Sequence, residues 1–410
     1  MQTIPQRAPL MRLDTALAKL LAQATALPGT ETIATFEADG RVLAADLVSQ
    51  LHVPPQDNSA MDGYAVRCAD LASQLALPVS QRIAAGDSGT ALAPMSVARI
   101  FTGAPIPPGA DAVVMQEDCE VLADGTVRIT LAVQPNQWIR RAGEDVTLGA
   151  VVLSKGELLT PAALGLAASI GMNLLQVAAR PRVALFSTGD ELVMPGDVAP
   201  AAMKPGAIYN SNRFFLRALL QRLGCEVTDY GIVPDQRAAT IAALQQAAQQ
   251  HDLILTSGGV SVGEEDHVKP AVQHLGTLDL WQIAIKPGKP FAHGKIGTCH
   301  FIGLPGNPVA SFITFWLLVR PFLQLQGVRD IAIKSIALPA HFTWARADKR
   351  REFLRVRRNA AGGLDLFANQ SSGVLTSAVW GDGVVDNPPG ATIAHGDVVS
   401  FIPFSQWMAT

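Results

Sequence analysis

Five short segments in the second half of the chain combine residue types that act on anions. Ser187-Thr188-Gly189-Asp190-Glu191 sets two hydroxyls, a glycine and adjacent carboxylates directly after an apolar run. Pro234-Asp235 follows the next apolar run, and Ser257-Gly258-Gly259-Val260-Ser261-Val262-Gly263 leads into Glu264, Glu265 and Asp266. Lys286-Pro287-Gly288-Lys289-Pro290 carries two ammonium groups on a proline-stiffened turn, and Leu304-Pro305-Gly306-Asn307-Pro308 opens into an apolar helical pattern. Glycines let the backbone approach a ligand and turn N–H groups toward an anion, and a helix N-terminus adds another such site. Carboxylates beside phosphate suit Mg²⁺, which takes oxygen ligands and commonly binds one or two carboxylates plus substrate phosphates. The candidate metal residues are Asp190, Glu191 and Asp266. The chemistry indicated is the handling of a phosphorylated or nucleotide-bearing substrate.

Singly, these signals are ordinary: a Gly-Gly loop is usually a turn, adjacent carboxylates often cap a helix or lie in solvent, and lysines usually face water. Their weight comes from the elements between them. Val183–Phe186, Val227–Val233, Leu253–Leu255, Leu278–Ile285 and Cys299–Ile302 read as strands. Between them, Ser211–Leu223, closed by Gly224, and Arg237–Gln250 read as helices, with Val309–Leu318 following the last strand. Repeated strand–helix–strand units predict a mostly parallel sheet with helices on both faces, and in such sheets ligands bind outside the carboxyl ends of the strands. All five segments fall at those ends. The G-x-G-x-x-G fingerprint with its acidic follower, the P-loop and H-E-x-x-H are absent.

Around this unit the pattern changes. Residues 14–26 form an amphipathic helix with Asp14 as expected cap, and Leu158–Ser169 is helical with Thr160 capping and Pro161 at the first helical position. From about 50 to 142 short β-rich runs alternate with Gly and Pro, and β-like sequence resumes near Asp330. The expected domains are a helical linker unit (1–49 and 143–179), a small β domain (50–142), the α/β domain (180–328) and a C-terminal β domain (329–410). Within the last, the segment Arg346–Arg358 holds seven basic and two acidic residues. As a strand it would set Arg351, Phe353, Arg355 and Arg357 on one face, either solvated or turned to an anion.

Composition bounds the function. A length of 410 residues at roughly 150 per domain gives two to four domains. With 49% hydrophobic and 16% charged residues the chain is not of the disordered type. A net charge of −3 gives no support to bulk-charge binding of nucleic acid. Four widely spaced cysteines fit neither a disulfide scaffold nor structural zinc, and imply reduced thiols in a cytoplasmic protein. No membrane segment is expected: Leu158–Ala179 is interrupted by Pro161, Gly165, Gly171, Asn173 and Gln176, and Val309–Val319 is short and ends at Arg320-Pro321.

Further motifs lie outside the α/β unit: Asp57-Asn58-Ser59-Ala60-Met61-Asp62-Gly63-Tyr64-Ala65, Phe101-Thr102-Gly103-Ala104 and Arg141-Ala142-Gly143-Glu144-Asp145. Together with Ser187 to Leu192, Asn210-Ser211-Asn212, Ser257 to Gly263, Lys286 to Pro290 and Gly303 to Pro308, in this order, they resemble the MoeA/gephyrin family of molybdopterin molybdenumtransferases. The resemblance implies an elongated four-domain homodimer whose sheet domain has a molybdopterin-binding fold. It implies that Asp62, Thr102 and Asp145 reach the partner's site, while Glu191, Asp235, Asp266, Lys286, Lys289, Pro305 and Pro308 belong to the sheet-domain site. Ser187, Thr188, Gly189, Ser257, Gly258, Gly259, Ser261, Gly263, Gly306 and Asn307 are expected to line it, with Arg350 and Ser372 from the C-terminal domain. Gln282 stands where the family commonly has a basic residue, and His267 where tyrosine is common. The implied activity is Mg²⁺-dependent insertion of molybdate into adenylylated molybdopterin with release of AMP, in the cytoplasm, downstream of an adenylyltransferase, with neither nucleic acid nor membrane as partner. Two alternatives stay open: the adenylyltransferase itself, and a pterin-binding scaffold without turnover.

Overall fold

The computed structural model describes residues 10–24, 27, 29–73, 75–233, 236–259, 267–325 and 332–408. The sequence candidates Asp235, Ser261, Gly263 and Asp266 lie outside these.

A six-stranded sheet dominates the middle of the chain. Its order is Glu226–Val233, Arg182–Thr188, Leu253–Ser257, Cys299–Leu304, Pro290–Ile296 and Thr277–Gln282. The first four strands are parallel, and the last two extend the sheet as an antiparallel pair. Leu253–Ser257 and Cys299–Leu304 are buried at every position, as strands covered on both faces must be. Alternation then sorts side chains between two cores. Val183 and Leu185 point into a core with Leu216, Ile313 and Phe322; Ala184 and Phe186 point into one with Leu244, Val272 and Phe301. The fold is multi-domain, with mixed helix and sheet.

Three expectations change. Strand Leu278–Ile285 breaks: Thr277–Gln282 stays in this sheet, but Ile285–Lys286 pairs in parallel with Arg351–Glu352 of the C-terminal sheet. Between them Ile283 N–H donates to Lys289 O at 2.8 Å and Ala284 N–H to Met11 O at 2.7 Å, which turns the chain out of the first sheet. The apolar helix does not stop at Leu318. Pro308–Thr314 is α-helical, Phe315–Val319 is a π turn, and Arg320–Leu325 continues as α-helix. The wider turn just ahead of Pro321 relieves the conflict of its ring with the carbonyl four residues back. The first helix runs Leu13–Leu21 with Arg12 at the cap position, while Asp14 lies in its first turn and pairs with Arg351 at 3.0 Å. Its buried residues Leu13, Ala16 and Leu20 belong to the α/β core rather than to the linker unit.

In the linker unit Thr30–Ala34 pairs with Leu174–Ala178, and Leu47–Val48 with Val151–Leu153, so chain on either side of the small β domain closes one core. Thr160 accepts from Ala163 N–H at 3.3 Å with Pro161 opening the helix. The small β domain holds a four-stranded sheet, Val79–Ile83, Val97–Ile100, Gly63–Val66 and Ala112–Met115, with an apolar cluster on each face. The C-terminal sheet runs Ile285–Lys286, Arg351–Arg358, Gly383–Asn387, Val398–Pro403, Ile336–Pro339, with Leu364–Leu366 beside Arg351–Arg358. Among the described residues no helix is long and apolar enough to cross a membrane.

Candidate active site

Where the parallel strands end, their loops wall a cleft of about 660 Å³. Thr188 and Glu191 come from the first loop, Ser257 and Gly258 from the third, Lys286 to Pro290 from the fourth, and Pro305 to Pro308 from the fifth. The C-terminal domain closes the opposite wall with Arg350 and Gln370 to Ser372. Gly258 has φ +94°, and a Cβ there would stand 2.9 Å from Thr188 O, so the two loops touch only because the side chain is absent. Gly288 has φ +112°, and a Cβ there would run into Thr314 Oγ1.

The sequence candidates divide. Lys286, Lys289, Glu191, Thr188, Ser257, Gly258, Pro305 to Pro308, Arg350 and Ser372 share the cleft. Ser187 is buried beneath it, and Asp190 is exposed outside it. Gly189 lies under the Glu191 carboxylate, which a Cβ at that position would strike. Gly259 sits behind the wall against Val268. Asp62, Thr102 and Asp145 do not line this cleft. They stand with the small β domain, where the three motifs meet at one end. Ser59 N–H donates to Ala104 O at 2.9 Å, Gly103 N–H to Ser59 O at 2.8 Å, and Ala142 N–H to Asp57 Oδ1 at 2.9 Å. Asp62 Oδ1 accepts from both Thr102 N–H (2.7 Å) and Thr102 Oγ1 (2.8 Å), and these bonds hold its carboxyl below the usual range. Asp145 N–H donates to Val53 O at 3.0 Å.

Asn210, Ser211, Asn212 and Tyr209 also line the cleft; the sequence reading noted the Asn-Ser-Asn stretch without assigning it a role. Asn212 is buried, and its Nδ2 donates to Ser257 Oγ and to Gly306 O, both at 2.7 Å, fastening the third loop to the fifth. Its Oδ1, Thr188 Oγ1 and Asn210 Nδ2 are buried polar atoms without a hydrogen-bond partner among the described residues. Such atoms are rare in folded proteins and await a ligand or water. Oxygen donors are what Mg²⁺ prefers, and Glu191 supplies a carboxylate with no hydrogen bond or ion pair among the described residues, so the donor chemistry fits a water-rich, phosphate-sharing ion. Among the described residues no three His, Cys, Asp or Glu side chains gather into a metal cage.

The basic segment divides: Arg357 and Arg358 are exposed, but its middle is neither solvated nor anion-facing. Arg355 is 1% exposed, and burial lowers its pKa to about 10. It donates to Ser377 Oγ (3.1 Å), Phe353 O (3.1 Å) and Ser371 O (3.2 Å). Gln370 closes the same knot through Arg355 N–H and O, and Val309 N–H donates to Ser372 O at 2.9 Å. A guanidinium thus builds the wall from inside, because a long multidentate donor can reach two buried carbonyls and a hydroxyl at once. Arg351 pairs with Asp386 instead. Arg350 alone of the segment lines the cleft, gripped by both oxygens of Asp348 at 3.0 and 2.8 Å, and this grip drives the Asp348 carboxyl far below its ordinary pKa. Of the two acidic residues inside the basic run, Asp348 pairs within it and Glu352 pairs with Lys286 outside it.

Three family models match successive parts of the chain. Residues 11–171 match the MoeA N-terminal region (domain I and II), residues 184–325 a probable molybdopterin binding domain, and residues 337–404 the MoeA C-terminal region (domain IV). The chain belongs to the MoeA family. A relative from Haemophilus influenzae, named molybdopterin molybdenumtransferase, is 45% identical over 82% of this chain and 81% of its own. Molybdopterin molybdenumtransferase 2 of Mycobacterium tuberculosis is 37% identical over 87% of this chain and 90% of its own. Among solved MoeA structures, the molybdopterin biosynthesis moeA protein of Pyrococcus horikoshii OT3 superposes with a TM-score of 0.85 at 27% identity, covering 96% of this chain and 100% of that one. A second structure from that archaeon gives 0.79 at 31% identity over 97% and 99%. The MoeA N- and C-terminal regions flank the α/β unit here, which weighs against the adenylyltransferase alternative.

Proposed function

We propose that the chain is a molybdopterin molybdenumtransferase that inserts molybdate into adenylylated molybdopterin with release of AMP. The observation that carries this is the single cleft where Glu191, Lys286, Lys289 and Arg350 ring glycine- and serine-lined loops in a MoeA-family chain. Lysine and guanidinium groups hold the phosphates and meet the charge that grows on oxygen as the link breaks. Arg350, fixed by Asp348, presents a planar fork to one oxyanion, while the backbone of the Gly306 turn offers fixed dipoles that need no reorganisation. In the step itself, an O–P bond forms to water, the anhydride P–O bond breaks, AMP departs with the electron pair, and a proton passes to solvent. Mg²⁺, held by Glu191 and the hydroxyl and amide oxygens of Thr188 and Asn212, would draw charge from the pyrophosphate link when bound. Molybdate, a tetrahedral dianion, trades its hydration for the fixed cations of the cleft, and its molybdenum bonds the two dithiolene sulfurs as one oxo ligand leaves as water with the two thiol protons.

The reading extends to a homodimer in which Asp62, Thr102 and Asp145 of one subunit complete the cleft of the other, and to a cytoplasmic setting. Its support is the end of the β domain that lies outside the cleft of its own chain, where Asp62 is held charged by Thr102. The direct test is incubation with adenylylated molybdopterin, Mg²⁺ and molybdate. AMP should appear in step with molybdenum-loaded pterin, and Glu191→Gln should depress both by about a hundredfold. Pterin binding without AMP overturns the reading in favour of a scaffold.

A further inference from the structure

Lys286 enters the cleft from a strand that belongs to another domain's sheet. Residues Ile285–Lys286 lie parallel to Arg351–Glu352, and Arg351 N–H donates to Ala284 O at 2.9 Å. The side chain is held as firmly as the backbone. Lys286 Nζ donates to Glu352 Oε1 at 2.9 Å and lies 3.5 Å from Asp348 Oδ2, with the Trp344 ring centroid 5.8 Å away. Glu352 is 1% exposed, and its second oxygen accepts from Trp344 Nε1 at 2.8 Å and Asn387 Nδ2 at 3.3 Å. A carboxylate buried to this extent survives only when its charge and lone pairs are answered, and here Lys286, Trp344 and Asn387 answer them. The ammonium is consequently drawn to one point on the rim of the cleft while its side chain stays 37% exposed toward it.

We propose that Glu352 is a positioning residue: it touches no substrate and acts by fixing the Lys286 ammonium where the anionic substrate binds. The proposal rests on the molybdenumtransferase reading for its catalytic consequence, but not for its structural one. The C-terminal domain, on this account, does more than wall the cleft; through one buried carboxylate it sets the place of a cation contributed by the α/β domain.

Two measurements on the full-length chain separate the claims. The first is acylation of lysines by an N-hydroxysuccinimide ester of acetate, read peptide by peptide by mass spectrometry. In Glu352→Gln, Lys286 should be acylated about tenfold faster, a factor equivalent to about 1.4 kcal/mol, while Lys289 and Lys19 keep their wild-type rates. An unchanged Lys286 rate in a folded variant overturns the proposal. Should Glu352→Gln not fold, Trp344→Phe decides: it keeps the ring but removes one donor to Glu352. A smaller rise at Lys286 alone supports the proposal, and none overturns it. The second is a double-mutant cycle on AMP release. Glu352→Gln should lower kcat about a hundredfold, the scale of a displaced catalytic group, and add nothing in a Lys286→Ala background. A further loss in that background shows a role not exerted through Lys286 and overturns the proposal. If acylation responds but the wild type releases no AMP, the positioning stands and the proposed activity falls.

Discussion

His293 and His300 sit beneath the antiparallel edge of the large sheet, 5% and 4% exposed, with ring nitrogens 3.4 Å apart. Burial pushes both pKa values down to about 4, helped by the Lys295 charge. In the unfolded chain each imidazole takes up its proton near pH 6.5. As pH falls from about 6.5 to about 4 the unfolded state gains protons the folded state refuses, so stability is full above that window and drains through it. The loss is of the order of about 3 kcal/mol per imidazole. Replacing one ring by an amide, His300→Asn, should therefore make the fall in thermal midpoint between pH 7 and pH 4.5 distinctly shallower. A slope matching the wild type would mean that His300 is not responsible. Nothing in the sequence around these residues sets them apart, and their burial marks them as structural. The same holds for Asn212 and Glu352: each type is common on surfaces, and neither shows its task until the loops it fastens are seen side by side.

Strand Arg351–Arg358 shows how an element can be assigned correctly and its faces misjudged. The alternation of Arg355 with Leu354 and Val356 fits an amphipathic strand, yet the segment is buried from Glu352 to Val356. Helix Thr376–Trp380 and the segment 367–372 cover the arginine face, and Arg355 satisfies the Ser377 hydroxyl and the Ser371 carbonyl there, together with Phe353 O of its own strand. Removing that donor while keeping bulk should orphan those groups. Arg355→Met is expected to destabilise by about 2–4 kcal/mol, whereas Arg358→Met on the exposed end of the same strand should change little. Denaturant midpoints of the two variants make the comparison, and equal effects would refute the burial argument. At this scale the apolar strands and their following loops were legible because a doubly covered parallel sheet needs unbroken apolar runs. The departure of Ile285–Lys286 to another sheet was not, since two residues carry no pattern and their partner lies more than sixty residues away in sequence.

For the whole molecule, the β-domain motifs and the cleft are separate features of one chain, and their union in a dimer is a matter for experiment. Coexpressing Asp62→Asn chains with Glu191→Gln chains offers a decisive arithmetic. Each variant homodimer lacks every complete site if sites are shared, while each mixed dimer regains one. Random pairing should then restore about a quarter of wild-type AMP release, and sites built within one chain would restore none. By itself the sequence determined the α/β unit, the loops at its strand ends and the order of motifs that marks the family, because apolar periodicity and short loop chemistry are local properties of the chain. Only the tertiary structure decided which charges reach the cleft. Arg350 and Lys286 line it, held by Asp348 and Glu352, while Arg355 and Arg351 are spent on Ser371, Ser377 and Asp386 away from it. Charge pairing of this kind is fixed by distances between segments far apart in sequence, and no local pattern encodes those distances.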